Sequence, residues 1–310
     1  MTISSQQIGQ QLRRCGLVVS ATTREVEGEY EPFDADWNYK DIPHLAEVHH
    51  AVDGVVIASE TDHTSSVFLQ QVGPFRIPLI VYIGSGSSNN AVYVGSAGPF
   101  VIVIETAWDR IGENRTRVTT TYEIFSPKVL RFLQPLVHRL LSRNYDVLMT
   151  ADLPMRDQRG KLRKRGYTFV GDTSGYGFRE SSNVFVRNVI APAELRTSTI
   201  RVLLDNLPEG RSLHGGEAED GVVIERNGST FTMYPRICDH EGASLDCAIK
   251  QEKGLRCPWH GRNVRPVAVA DLATRTATST SSETMAELRD GQLVISRTIQ
   301  QCFNGAIVAD

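Results

Sequence analysis

Two short segments near the C-terminal end of the chain each set a cysteine beside a histidine, Cys238-Asp239-His240 and Cys257-Pro258-Trp259-His260. Sixteen residues lie between His240 and Cys257. Thiolate and imidazole are the side chains that bind soft and borderline metals. Four of them in two close pairs require the chain between them to bring two loops face to face. A glycine follows each histidine, Gly242 in the first segment and Gly261 in the second. A zinc site is the alternative, but zinc with two cysteines and two histidines usually takes each kind as its own close pair. Here both pairs are mixed.

This pattern resembles the Rieske family, where two thiolates hold one iron and two imidazoles the other, which raises the potential far above that of an all-cysteine cluster. The resemblance implies a 2Fe–2S cluster held by Cys238, His240, Cys257 and His260. Rieske proteins of respiratory and photosynthetic complexes add a cysteine to each loop and join them by a disulfide. Ala243 and Trp259 stand in those places here, and Cys247 has no obvious partner. The resemblance is therefore to the lower-potential type found in oxygenases and Rieske ferredoxins.

A ferredoxin needs only a small domain, yet the chain has 310 residues. At about 150 residues per domain, two domains are expected. The seam is placed near Ala191-Pro192, giving a first domain over 1–192 and a second over 193–310. The net charge of -3 offers no strong basic field for nucleic acid or an anionic membrane. The opening MTISSQQIGQQLRRCGLVVS lacks the apolar run of a secretory signal. No stretch approaches the ~20 apolar residues that cross a bilayer. The odd set Cys15, Cys238, Cys247, Cys257 and Cys302 does not read as a disulfide framework, so a cytoplasmic location is expected. Cys15, Cys247 and Cys302 read as plain thiols.

Residues 50–125 hold six β-rich runs punctuated by Gly, Ser and Asn, which predicts an antiparallel meander. GSGSSNN at 84–90 lies between two such runs and predicts a hairpin, since a phosphate loop would lead into a helix. Ser126-Pro127 then reads as an N-cap with proline at the first helical position. Apolar residues at helical spacing follow from Val129 to Leu141. The helix is expected to reach about Arg165, with kinks at Pro135 and Pro154 and Gly166 as terminator. An antiparallel sheet followed by one long helix resembles the helix-grip, START-like fold, which implies an apolar cavity between the two. From Thr199 onward short strands predict a small all-β domain, with hairpins at Asn227-Gly228 and Asp290-Gly291. The fold class expected is therefore α+β.

The segment WNYKDIPHLAEVHH at 37–50 contains Asp41, His44 and His49 at the spacing Asp-x2-His-x4-His, with Asn38 just before. This resembles the mononuclear iron signature of Rieske non-haem oxygenases. The resemblance implies Fe(II) held by His44, His49 and a carboxylate from the long helix, an arrangement that leaves open positions. Asp152, flanked by Leu148, Met149, Leu153 and Met155, is the residue expected there, with Asp146 and Asp157 as competitors. Asp41 is expected to bridge His44 and a Rieske histidine, His260 by analogy. The family also implies O2, a small-molecule substrate, a homotrimer, and electrons from a ferredoxin or flavin reductase. The chain itself has no flavin or nicotinamide fingerprint. Two departures stand out: the catalytic part precedes the Rieske part, the reverse of the family's order, and Arg262 follows CPWHG where an aromatic is common. The alternative reading is an electron-transfer or ligand-binding protein with a START-like domain and no mononuclear iron.

Overall fold

The computed structural model describes residues 4–299 except 50–51, 60–61, 73–74, 88, 170, 175, 178–190, 193–195, 204–206, 211, 219, 282 and 291. Cys302, Gly291 of the expected Asp290-Gly291 hairpin, and the first residue of the expected second domain lie outside the described residues. The chain divides into two compact units, Met1–Lys161 with Gly171–Val184, and Leu162–Val170 with Phe185–Asp310.

The first unit begins with helix α1 (Ser5–Arg14) and strand β1 (Leu17–Gly28), then helices α2 (Pro32–Lys40) and α3 (His44–Val48). Strands β2 (Val52–Ser59), β3 (His63–Val72), β4 (Phe75–Ser87), β5 (Asn90–Ala97), β6 (Phe100–Gly112) and β7 (Arg115–Pro127) follow. They form one antiparallel sheet in the order β1-β7-β6-β5-β4-β3-β2, so the first strand pairs with the last. The expected hairpin at 84–90 is present, with Ser87 opposite Asn90. Side chains of a strand alternate between faces. On β7, Thr116, Val118, Thr120, Tyr122 and Ile124 are buried, while Arg117, Thr119 and Thr121 on the other face are not. Strand β1 is not foreseen by the sequence pattern. Its residues are at most half-buried, as at a sheet edge, so LVVSATTREVEG carries no clean alternation of apolar and polar.

The long helix differs from expectation at its start. Ser126 and Pro127 end β7 rather than cap a helix, and Lys128–Leu133 form a 3-10 turn. The α-helix α4 runs from Gln134 to Lys164. Pro135 thus sits in the first turn, where its missing N–H has no intrahelical partner to lose, and it is not a kink. Gln134 satisfies three acceptors at this junction, the carbonyls of Val18 and Ile124 and Ser126 Oγ. Pro154 lies inside the helix, and Gly166 (φ 87°) ends the segment with its N–H on the Arg163 carbonyl. Together the sheet and α4 form the helix-grip, START-like architecture.

The second unit is all-β apart from the tail of α4. After β8 (Tyr167–Thr168) the chain passes through helix α5 (Gly171–Ser174) of the first unit and returns in β9 (Ala191–Pro192), which pairs with β8. Strands β10 (Arg196–Leu203), β11 (Ser212–Gly215), β12 (Val222–Asn227), β13 (Thr230–Pro235), β14 (Ile249–Gln251), β15 (Gly254–Arg256), β16 (Asn263–Val264), β17 (Ala268–Asp271), β18 (Thr276–Ser279), β19 (Thr284–Arg289) and β20 (Gln292–Ile299) follow. They build sheets ordered β11-β12-β13-β17-β18, β10-β20-β19 and β14-β15-β16. One core, including Ile224, Phe231, Met233, Leu293 and Ile295, is shared by the first two sheets. Gly228 takes the positive φ of 61° that the β12–β13 hairpin needs. No helix among the described residues is long and apolar enough to cross a membrane.

Candidate metal centres

Helix α2 is unusual because it buries charge. Asp34, Asp36, Asn38 and Lys40 are all buried alongside Trp37. Each charge has a partner, as burial requires. Lys40 Nζ lies 2.7 Å from Asp36 Oδ1, and Arg159 Nε donates to Asp34 Oδ1 at 2.8 Å. This fixes the helix from which the chain turns through Asp41 into α3.

That turn brings His44 and His49 together. His44 opens α3 and His49 caps its C-terminus, with ring centroids 5.3 Å apart. From α4, Asp152 Oδ1 lies 2.8 Å from His49 Nε2 and 3.4 Å from His44 Nε2. All three residues are buried, and one donor atom from each lies within 4.8 Å of the others. The Asp152 carboxyl is held far below the usual range: burial pushes it up, but the neighbouring imidazoles of His44 and His49 and the charge of Arg156 outweigh that. His44 Nδ1 donates to the Asp41 backbone carbonyl, which leaves Nε2 as the ring atom facing the trio. The Asp41 carboxylate is more distant, with Oδ2 3.8 Å from His44 Nδ1. Of the competing carboxylates, Asp146 is exposed and Asp157 accepts from the Glu29 N–H instead.

Arg156, one turn beyond Asp152, is a residue the sequence reading did not single out. Its guanidinium is fully buried, donates through Nε and Nη2 to Asn38 Oδ1, and lies over the Tyr39 ring at 4.5 Å. The four-residue spacing from Asp152 is a legible signal, since such pairs meet on a helix face.

The trio stands in the wall of a cavity of about 770 Å³. Its apolar lining comes from Phe68, Leu79, Val81, Ile83 and Ile102 on the sheet and from Leu141, Leu148 and Met149 on α4. Thr106, Thr120, Tyr122 and Tyr145 add hydroxyls. Burial pushes the Tyr145 phenol up to about 12, so at neutral pH it stays a neutral donor.

In the second unit, the two Cys/His loops share one backbone scheme. Cys238 N–H donates to the Ala243 carbonyl and Gly242 N–H to the Cys238 carbonyl. Cys257 N–H donates to the Arg262 carbonyl and Gly261 N–H to the Cys257 carbonyl. Gly242 and Gly261 have φ of 90° and 65°, a region that favours glycine. Strand pairing closes both loops, Ile237 with Ser244 and Arg256 with Asn263. A further clamp is not evident from the sequence. Arg236 donates to both carboxylate oxygens of Asp246, at 2.8 and 2.5 Å, across the base of the first loop.

Cys238, His240, Cys257 and His260 are all buried, and the two imidazoles stand edge to face at 4.8 Å. The thiols are close enough to interact. Cys257 is drawn below the usual thiol range by a hydrogen bond from Cys238 and by His260. Two buried thiols and two buried imidazoles on paired loops fit a Rieske cluster. Among the described cysteines, Cys15 and Cys247 are exposed and unbridged.

Residues 202–280 match the Rieske [2Fe-2S] domain family. The chain therefore carries a Rieske domain, and such a domain implies a 2Fe–2S cluster. No curated protein matches the chain. Among solved structures, the Zhui aromatase/cyclase from Streptomyces sp. R1128 is similar at 11% identity over 48% of this chain and 97% of its own, with a TM-score of 0.41. A START superfamily protein from Mycobacterium smegmatis is similar at 11% over 44% and 97%, with a TM-score of 0.38. A protein from Thermus thermophilus is similar at 19% over 46% and 99%, also with a TM-score of 0.38. These likenesses say nothing of the chemistry.

Proposed function

We propose that the chain is a Rieske-type non-haem iron oxygenase that uses O2 and electrons from a separate reductase or ferredoxin to hydroxylate a bulky apolar or aromatic small molecule. The observation that carries this reading is the buried convergence of His44 Nε2, His49 Nε2 and Asp152 Oδ1 in a cavity wall. Two imidazoles and one carboxylate on one side of a site are the donor set of oxygen-using Fe(II) enzymes. Bound iron supplies the oxygen chemistry there, and the 2Fe–2S centre supplies electrons. The protein's own part is positional. The Asp41 carbonyl sets the His44 tautomer, α4 presents Asp152, and the apolar lining holds the substrate and keeps out water. Asp41 is the proposed link from His44 toward a Rieske histidine, within a homotrimer.

One observation favours a second reading. Asp152 already has His49 and Arg156 beside it, which accounts for its burial without a metal. In that case the chain is a Rieske electron carrier joined to a ligand-binding domain. Metal analysis separates the two. An oxygenase holds roughly three irons and two acid-labile sulfides per chain, a carrier roughly two of each. Two irons in wild-type protein, unchanged in His44→Ala, would remove the oxygenase reading.

A further inference from the structure

We infer that Arg156, tethered by Asn38, decides how Asp152 presents itself to a metal: Oδ1 alone faces the histidines, and Oδ2 is kept on the guanidinium side. The inference rests on the proposed mononuclear site and goes beyond it to a residue that touches no metal. The two carboxylate oxygens of Asp152 are already divided. Oδ1 lies 2.8 Å from His49 Nε2 and 3.4 Å from His44 Nε2, while Oδ2 lies 3.8 Å from Arg156 Nη2.

That last distance is informative. It is short enough for charge attraction and too long for a hydrogen bond. An unrestrained guanidinium beside a buried carboxylate would close into a forked pair and occupy both oxygens. Arg156 does not, because its Nε and Nη2 both donate to Asn38 Oδ1, at 2.9 and 2.6 Å, and Tyr39 covers one face. The side chain is fully buried, so solvent cannot supply other partners. Asn38 and Tyr39 come from α2 and Arg156 from α4, so packing of these two helices fixes the spacing. Without the guanidinium, Oδ2 is free to turn toward the metal and take a second position on it. Without Asn38, the guanidinium is free to close on Asp152 and draw it off the metal. Arg156 is thus a positioning residue, and the two changes act in opposite directions.

The test uses cluster-loaded full-length protein with Co(II) alone as probe, because cobalt X-ray absorption does not see the iron of the cluster. Wild type should bind about one Co(II) per chain through two nitrogens and one carboxylate oxygen. Arg156→Gln should add an oxygen to the cobalt shell and tighten Co(II) binding roughly tenfold, and Asn38→Ala should weaken it roughly tenfold, the scale seen when a residue that orients a metal ligand is changed. If Arg156→Gln does not fold, Asn38→Ala decides, since it removes only a neutral side chain. Variants that keep the wild-type shell and bind within roughly twofold of wild type overturn the role of Arg156 while leaving the site standing. A wild type that takes up no Co(II) overturns the reading of the site itself.

Discussion

His49 Nε2 stands 2.8 Å from Asp152 Oδ1, a contact that closes across 103 residues of sequence. It joins the cap of a five-residue helix to the middle of a 31-residue one, beneath a seven-stranded sheet. A buried carboxylate needs a partner, and the His49 imidazole is one of those Asp152 has. The trio is therefore held in place by tertiary packing alone.

Asp152→Ala should abolish metal uptake at the proposed His44–His49 site and leave the visible Rieske spectrum intact, because the proposed cluster ligands lie in a different compact unit. Iron should fall from roughly three to roughly two per chain on loss of one of three protein ligands. Asp41→Asn should differ: the backbone carbonyl that holds His44 Nδ1 is unchanged, so iron should stay, while turnover should slow by roughly 10–100-fold on loss of the carboxylate of the proposed link. Full iron in Asp152→Ala would move the carboxylate role elsewhere.

His260→Cys should retain a cluster and lower its reduction potential, by roughly 100 mV or more, as an anionic thiolate replaces a neutral imidazole. Voltammetry of the purified variant measures this. An unchanged potential with an intact cluster would contradict the ligand assignment.

Asp246→Asn should loosen the first cluster loop in a pH-dependent way. Hydrogen bonds from Arg236 hold the Asp246 carboxyl below its usual range. A depressed carboxyl stabilises the fold fully above the ordinary value of about 4, and that contribution fades as pH falls through the lower folded value. The variant should therefore be less stable than wild type at neutral pH, by about 1 kcal/mol after solvent screening. The gap should narrow below about pH 4. Urea unfolding followed by circular dichroism across that range tests it, and a gap independent of pH would exclude the ion pair as its source.

Gly160→Ala should destabilise the first unit although alanine favours helices. A Cβ at this position would lie 1.9 Å from the Glu29 carbonyl oxygen, where α4 passes close to the chain entering α2. Overpacking of this kind costs about 1–3 kcal/mol. Because Asp152 sits two turns earlier on the same helix, metal uptake should weaken as well. Thermal melting and Co(II) titration measure the two effects, and a stabilised variant would show that the helix moves aside freely.

The four proposed cluster ligands could be picked out in the sequence because they lie within 23 residues and in two local loops, so their spacing is a local signal. The glycines after the histidines, the meander of short strands and the existence of a long helix were equally local. The helix start was not, because Ser126-Pro127 fits a strand end as well as a cap. Strand β1 escapes a reading by pattern because an edge strand needs no alternation. What tertiary structure alone decided is which carboxylate meets His44 and His49. Asp146, Asp152 and Asp157 share one helix, and only the packing of that helix turns Asp152 inward, Asp146 to solvent and Asp157 to Glu29. The same holds for Arg156 and Asn38, 118 residues apart, and for the Arg236–Asp246 clamp. Sequence spacing records which residue types are near along the chain, whereas a buried charge finds its partner only when separate elements pack and exclude water between them.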